Sequence, residues 1–343
     1  MDSSEINVTI AIICALVREA DAVEALFDQT FDDDVTKRRR LSTDANAYTE
    51  GMIGRHRVVL VHMAGMGKRN ATLAAVSCKS SYPSIEIALV VGVCGGVPFG
   101  AGADGSEIVL GDVVVSTGVV AFDFGRQYPD GFIPKSNAMD ALPVPPPEIR
   151  SFLARLQGRR RRMKLNERIL QYLNVVREDL GELADYPGRG EDRLFEGDYR
   201  HKHHDPSGCS ECNGDKDSIC PLARESTCEL LGCDPLKLVY RERLQSRNHI
   251  GSVADADIIQ PTVHFGLVAS GDQVMKSGEH RDGIAYKSKV IAFEMEAAGV
   301  WESFPCVVIK GVCDYADSHK TKKWQDYAAA TAAACMKAFL EEW

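Results

Sequence analysis

The chain is 343 residues long, with 45% apolar, 26% charged and 7% aromatic residues. These proportions exclude collagen-like, disordered and low-complexity classes. Forty basic against 49 acidic side chains leave a net charge of -9, a poor basis for general nucleic-acid binding, which draws affinity from phosphate neutralisation. No run of about eighteen apolar residues is present, so no membrane span is expected.

The first residues, MDSSEINVTIAII, carry no basic stretch ahead of the apolar run, so a signal peptide is not expected. Val8 to Cys14 reads as a strand covered on both faces, and Val17 to Phe27 as a helix. Val58 to Val61 is a second strand, followed by Gly65-Met66-Gly67-Lys68 and a helix from Asn70 to Cys78. Ile87 to Val91 then runs into Gly92-Val93-Cys94-Gly95-Gly96, and Asp112 to Ser116 is a further strand. The same alternation returns with strands at His264 to Ser270 and Val290 to Phe293, and a helix from Glu294 to Trp301. Cys306 to Val312 is another buried strand, and Tyr327 to Leu340 an alanine-rich terminal helix. Strand, glycine turn, helix, strand is the order of an α/β protein with a largely parallel sheet.

Between about 141 and 250 the character changes to proline-rich chain, an arginine run (Arg159 to Arg162), charged helical stretches and a segment rich in Gly, Asp, His and Cys. One α/β domain spanning 1–343 and interrupted by this basic insertion is therefore expected, rather than two consecutive domains. The arginine run and Lys37 to Arg40 are read as solvated faces, ahead of nuclear-import or nucleic-acid patches.

Three local patterns carry chemistry. Glycines after strands aim backbone N–H groups at anions, although neither Gly65-x-Gly67 nor Gly92-x-x-Gly95 has dinucleotide or P-loop spacing. Glu294-Met295-Glu296 sets two carboxylates where an apolar strand meets a small-residue helix, a costly burial unless they bind something. One of the two could instead complement a helix dipole. Asp314 closes a buried strand, with Asp317 close behind, at the end of the sheet where open α/β proteins place ligands. In the insertion, Cys209 and Cys212, with Cys220, Cys228, Cys233, His201, His203 and His204 nearby, contain enough ligands for tetrahedral zinc. The spacing fits no standard finger, and free thiols are the preferred reading. Eleven cysteines, several in strand-like runs, point to reduced thiols in cytosol or nucleus, with the cytoplasm expected.

Together these motifs resemble the purine nucleoside phosphorylase/uridine phosphorylase superfamily, especially its methylthioadenosine/S-adenosylhomocysteine nucleosidases. The likeness rests on A-L-V-R-E ending at Glu19, G-M-G-K at Gly65, G-V-C-G-G at Gly92 and L-G-D-V-V-V-S at Leu110. It continues with A-S-G-D at Ala269, F-E-M-E-A at Phe293 and V-C-D-Y-A-D at Val312. The C-terminal stretch is most similar to phosphorylase-type domains of fungi, often found at the front of NOD-like immune receptors. The resemblance implies a three-layer sandwich, with a central mixed, largely parallel twisted sheet flanked by helices, and a homo-oligomer.

It also implies roles. Asp314 would protonate the departing purine at N7, its aspartate rather than asparagine pointing to adenine, and Glu19 would activate water. Met295 and Glu296 would hold the ribose, with Glu294 a further acid of the site. Val274, Met275 and Gly95 would contact the base, Val274 standing where the nucleosidases have phenylalanine. Lys310 stands for an arginine near the nucleophile, and Val93 for a serine. Bacterial phosphorylases grip phosphate with the arginine and serine of R-V-G-S-C-G, whereas here Val90 and Val93 fill those places. Hydrolysis of a purine nucleoside or nucleotide is therefore expected over phosphorolysis or a catalytically silent sensor. Clustered cations (Arg126, Lys135, Lys276, Arg281, His201, His203) are candidate 5′-phosphate ligands, with ATP a candidate substrate. No cofactor is expected to be required.

Overall fold

The computed structural model describes residues 7–31, 40–99, 106–135, 141–204, 209–245 and 259–343. Lys37 to Arg39 of the first basic run lie outside them. The strands are β1 (Ile10–Cys14), β2 (Gln29–Thr30), β3 (Ala47–Ile53), β4 (His56–His62), β5 (Ile87–Gly96), β6 (Val113–Ala121), β7 (Gly125–Tyr128), β8 (Gly131–Pro134), β9 (Val263–Ser270), β10 (Val290–Glu294) and β11 (Cys306–Asp314). Nine of them form one mixed sheet in the order β10-β9-β6-β11-β5-β1-β4-β3-β2, and β7–β8 is a separate hairpin.

The centre, β11-β5-β1-β4, is parallel, and its strands are almost wholly buried because helices cover both faces. On one face lie α1 (Val17–Glu24) and, from later in the chain, a long terminal helix; on the other lies α2 (Lys68–Ser81). The sheet does not stay open. β10 pairs parallel with β9 and also crosses antiparallel onto the end of β5, Phe293 opposite Gly95 and Ala292 opposite Gly96. That crossing brings the acids at the end of β10 beside the ends of β5 and β11.

Two sequence expectations change here. Gly92 to Gly96 is continuous strand rather than a turn. The helix expected from Glu294 reduces to a short turn after a strand end, Ala297–Val300. β3, the β7–β8 hairpin and the helix Gly278–Ser288 had no counterpart in the sequence reading.

The segment after 141 begins as an integral layer. Helices α3 (Pro147–Gln157) and α4 (Arg159–Leu180) bury Ile149, Leu153, Leu165, Ile169 and Val176 in the same core as the terminal helix (Gln325–Glu342). The arginine run is largely exposed; within and just beyond it, Arg161 Nη1 and Lys164 Nζ each lie 2.7 Å from Glu342, and Arg168 pairs with Glu341. The terminal helix is alanine-rich because it lies almost in contact with β11; a side-chain carbon at Gly311 would meet the Ala328 carbonyl oxygen.

Candidate active site

Glu19 sits in the first turn of α1, just beyond β1, and is buried. Its Oε2 accepts from the backbone N–H groups of Ala15 and Leu16, both at 2.9 Å, and its Oε1 from Val93 at 2.8 Å. Gly92 makes this possible: a Cβ there would stand 2.1 Å from Glu19 Oε1. The glycine therefore serves close approach of a carboxylate rather than a turn around an anion. Burial pushes the Glu19 carboxyl up, and the Lys310 charge pulls against it.

Lys310 on β11 is 1% exposed and sits opposite Gly92 on β5. Its Nζ donates to Glu296 Oε2 at 2.9 Å. Burial pulls a lysine down, but Glu296, Glu19 and Glu294 outweigh it and hold Lys310 protonated, well above its ordinary range. The other Glu296 oxygen faces the Gly67 N–H at 3.4 Å, so the G-M-G-K turn ahead of α2 closes on the same acid.

Glu294 ends β10 and accepts from the N–H groups of Glu296 and Ala297 at 3.0 Å. It complements the end of a helix, the role that local sequence allowed for one of the two acids. Burial first, then the neighbouring Glu296, pushes it up to about 7. Met295 between them is half-buried.

Asp314 ends β11, its Oδ1 accepting from the Ala316 N–H at 2.8 Å and its Oδ2 3.4 Å from Lys320 Nζ. Gly95 lies alongside, where a Cβ would come within 2.9 Å of Asp314 Oδ1 and of the Ala316 side chain. Gly92 and Gly95 are three residues apart on β5, about 10 Å at the strand rise.

Other expected residues distribute unevenly. Val274 is exposed, and Met275 packs against the cluster containing Phe122 and Phe293. Arg126 and Lys276 are exposed, and Lys135 lies over the Phe124 ring. Arg281 is corrected as a phosphate ligand. Its guanidinium is buried, donates to the Tyr315 carbonyl at 2.8 Å and pairs with Asp282. His201 and His203 are corrected too: both turn Nδ1 towards cysteine sulfurs within the insertion.

Sequence reasoning missed several groups. Lys68 Nζ reaches Asp123 at 2.6 Å and its N–H reaches Asp272 at 2.8 Å, at the mouth of α2. Lys320 was not singled out. Insertion residue Asp192 accepts from Tyr315 at 2.6 Å, Arg241 contacts Glu107 and Asp192, and Arg243 pairs with Asp112. The insertion therefore grips the residues around Asp314. A cavity of about 130 Å³ beside that acid is lined by Arg193, Cys228, Tyr315 and His319 among others.

A curled mixed sheet with a buried lysine–carboxylate cluster and a strand-end aspartate defines an α/β protein with its acids gathered at the strand ends. Residues 9–171, a little under half of the chain, match the phosphorylase superfamily. It is 32% identical, over 335 residues, to a nucleotide-binding leucine-rich repeat (NLR)-like protein of Hyaloscypha variabilis, covering 96% of this chain and 28% of that protein. It is 30% identical to a 5'-methylthioadenosine/S-adenosylhomocysteine nucleosidase of Mycobacterium bovis over 160 residues, covering 44% of this chain and 56% of that one. The chain thus spans little more than a quarter of the first relative and just over half of the second. The nucleosidase of Neisseria meningitidis, solved with methylthio-immucillin-A, superposes with a TM-score of 0.54 over 98% of this chain and 100% of its own, at 17% identity. That likeness concerns the fold.

Proposed function

We propose that this chain hydrolyses the N-glycosidic bond of a purine nucleoside or nucleotide, releasing free base, with adenine the preferred leaving group. The observation that carries the reading is the position of Glu19. Its carboxylate already accepts the Val93 N–H of the glycine-bearing strand at 2.8 Å, where a phosphorylase would have to seat phosphate. A second anion there would face repulsion from the Glu19 carboxylate, and the nearby Lys310 already pairs with Glu296. Water meets neither obstacle. Burial raises Glu19, which makes it a stronger base for that water.

At the other end Asp314 donates to the purine as the ribose gains oxocarbenium character, and Lys320 is within reach of the same carboxyl group. Glu296, oriented by Lys310, faces the ribose hydroxyls; Met295 packs against the sugar, and Val274 and Met275 flank the base. The relatives support this reading, since proteins named nucleosidases share the fold and part of the sequence. With Arg281, His201 and His203 engaged elsewhere, Arg126 and Lys276 remain as the expected phosphate contacts if ATP is the substrate.

The test is release of base from ATP, AMP, adenosine, guanosine and methylthioadenosine, followed by chromatography with and without inorganic phosphate. Free adenine without phosphate is the expected result. Release only with phosphate would assign a phosphorylase, and none at all would assign a binding domain.

A further inference from the structure

Eight cysteine and histidine side chains converge in two groups beyond the carboxylate cluster. His201, Cys228, Cys233 and His319 form one, and His203, Cys209, Cys212 and Cys220 the other, each group's ligand atoms lying within 4.8 Å of one another. All five cysteines are free thiols.

The spacing is specific. A tetrahedral zinc ion with Zn–S of about 2.3 Å and Zn–N of about 2.0–2.1 Å sets sulfur–nitrogen edges of about 3.5 Å and a nitrogen–nitrogen edge of about 3.3 Å. In the first group Cys228 Sγ lies 3.6 Å from Nδ1 of both His201 and His319, and Cys233 Sγ lies 3.7 and 3.9 Å from them. The two Nδ1 atoms are 3.3 Å apart. In the second group His203 Nδ1 is 3.5 Å from Cys212 Sγ and 3.6 Å from Cys220 Sγ.

The far side of the imidazoles gives an independent indication. His201 Nε2 is 2.8 Å from the Ser226 carbonyl and His319 Nε2 is 3.3 Å from the Tyr199 carbonyl. Carbonyl oxygens only accept, so both Nε2 atoms carry the proton, and in the neutral rings both Nδ1 atoms present bare lone pairs to each other. Two such lone pairs at this distance repel unless a cation or a thiol proton lies between them. Phe195 stacks on His319 with ring centroids 4.2 Å apart, fixing its orientation. Around the second group, backbone N–H groups of Cys220 and Ala223 point at Cys212 Sγ and Cys220 Sγ at 3.5 and 3.3 Å, as suits thiolates.

We propose that the insertion holds two structural zinc ions, one bound by His201, Cys228, Cys233 and His319 and the other by His203, Cys209, Cys212 and Cys220. Each ion has four protein ligands and no open position, the pattern of structural rather than catalytic zinc. The Arg200–His204 segment links them, since its two ligands go to different ions. Only the first site draws on the body of the α/β domain: His319 lies five residues beyond Asp314, so that ion fastens the insertion to the loop that follows the strand-end acid. The proposal is independent of the glycosidic reading, because it concerns metal content rather than turnover.

The test is elemental analysis of the full chain purified without chelator. Two zinc ions per chain are expected; none or one overturns the proposal. On the same wild-type protein, thiol modification should liberate two equivalents of zinc, whereas five thiols reacting freely in the native state without zinc release would also overturn it. Cys228→Ser and Cys212→Ser should each lose one ion. Amide hydrogen exchange in 315–323 should rise in Cys228→Ser but not in Cys212→Ser, and equal effects of the two would overturn the assignment of the first ion to that loop.

Discussion

Two polar clusters adjoin the carboxyl end of β11, and they are assembled on opposite electrostatic plans. In the first, Glu19, Glu294, Glu296 and Lys310 are all at most 4% exposed. The lysine answers one carboxylate directly, and backbone N–H groups from Ala15, Leu16, Val93 and Glu296 answer the others. The protein supplies both signs, so this cluster closes with its own atoms. In the second, eight soft ligands point at two centres. Such a set closes around a positive ion or through thiol and imidazole protons.

The largest expected effect tests the first cluster. Replacing Asp314 with Ala should lower base release by about 10²–10⁴-fold, the usual worth of a positioned acid, with little change in Tm. Glu19→Gln should fall in the same range, because the amide cannot take a proton from water. Full activity in either variant would remove that residue from the chemistry.

Next comes stability. Lys310→Met keeps the length of the side chain but leaves buried carboxylates without their cation, at a cost of about 3–5 kcal/mol. Urea denaturation checks it, and a loss under ~1 kcal/mol would show that the backbone donors alone suffice.

A pH dependence follows from Glu294, which burial and Glu296 push up to about 7 from an ordinary 4.5. An acid raised in the folded state destabilises the fold once ionised. Its contribution is therefore fully present below about pH 4.5 and is lost as the pH rises to about 7. Glu294→Gln should flatten that part of the stability–pH curve, and an unchanged slope would place the titration elsewhere.

The smallest effect belongs to the arginine run. Arg161 is 45% exposed where it meets Glu342, so Arg161→Ala should shift stability by no more than about 0.5 kcal/mol. A larger shift in the denaturation midpoint would mean that this basic surface is part of the core layer's energetics.

Much of the α/β layer was legible in the chain. Continuous β-branched runs gave β1, β4, β5, β9 and β11, because strands buried on both faces have nothing polar to place. β3 escaped because Ala47 to Ile53 alternates with Thr49 and Glu50, and Glu50 is buried against Arg57, a partner seven residues away. The helix expected from Glu294 failed because β10 continues to that residue, and its carboxylate then caps the turn that follows. The glycines of β5 read as a turn whose N–H groups could face an anion, whereas in the structure the Glu19 carboxylate fills the space over Gly92.

Sequence by itself determined which residues could do chemistry: the acids at strand ends, the lysine in an apolar run, and the cysteines and histidines of the insertion. Local pattern suffices there, because an ionisable group in a buried run must be satisfied by something. Which group satisfies which was decided only by the tertiary structure. Cys228 and His319 are 91 positions apart and Glu19 and Val93 are 74 apart, separations over which periodicity carries no information. Likewise His201 and His203, adjacent in pattern, are sent to different centres by the backbone that holds them. Strand register and the crossing of β10 onto β5 bring those partners within a bond length of one another, and no one-dimensional reading of the chain contains that distance.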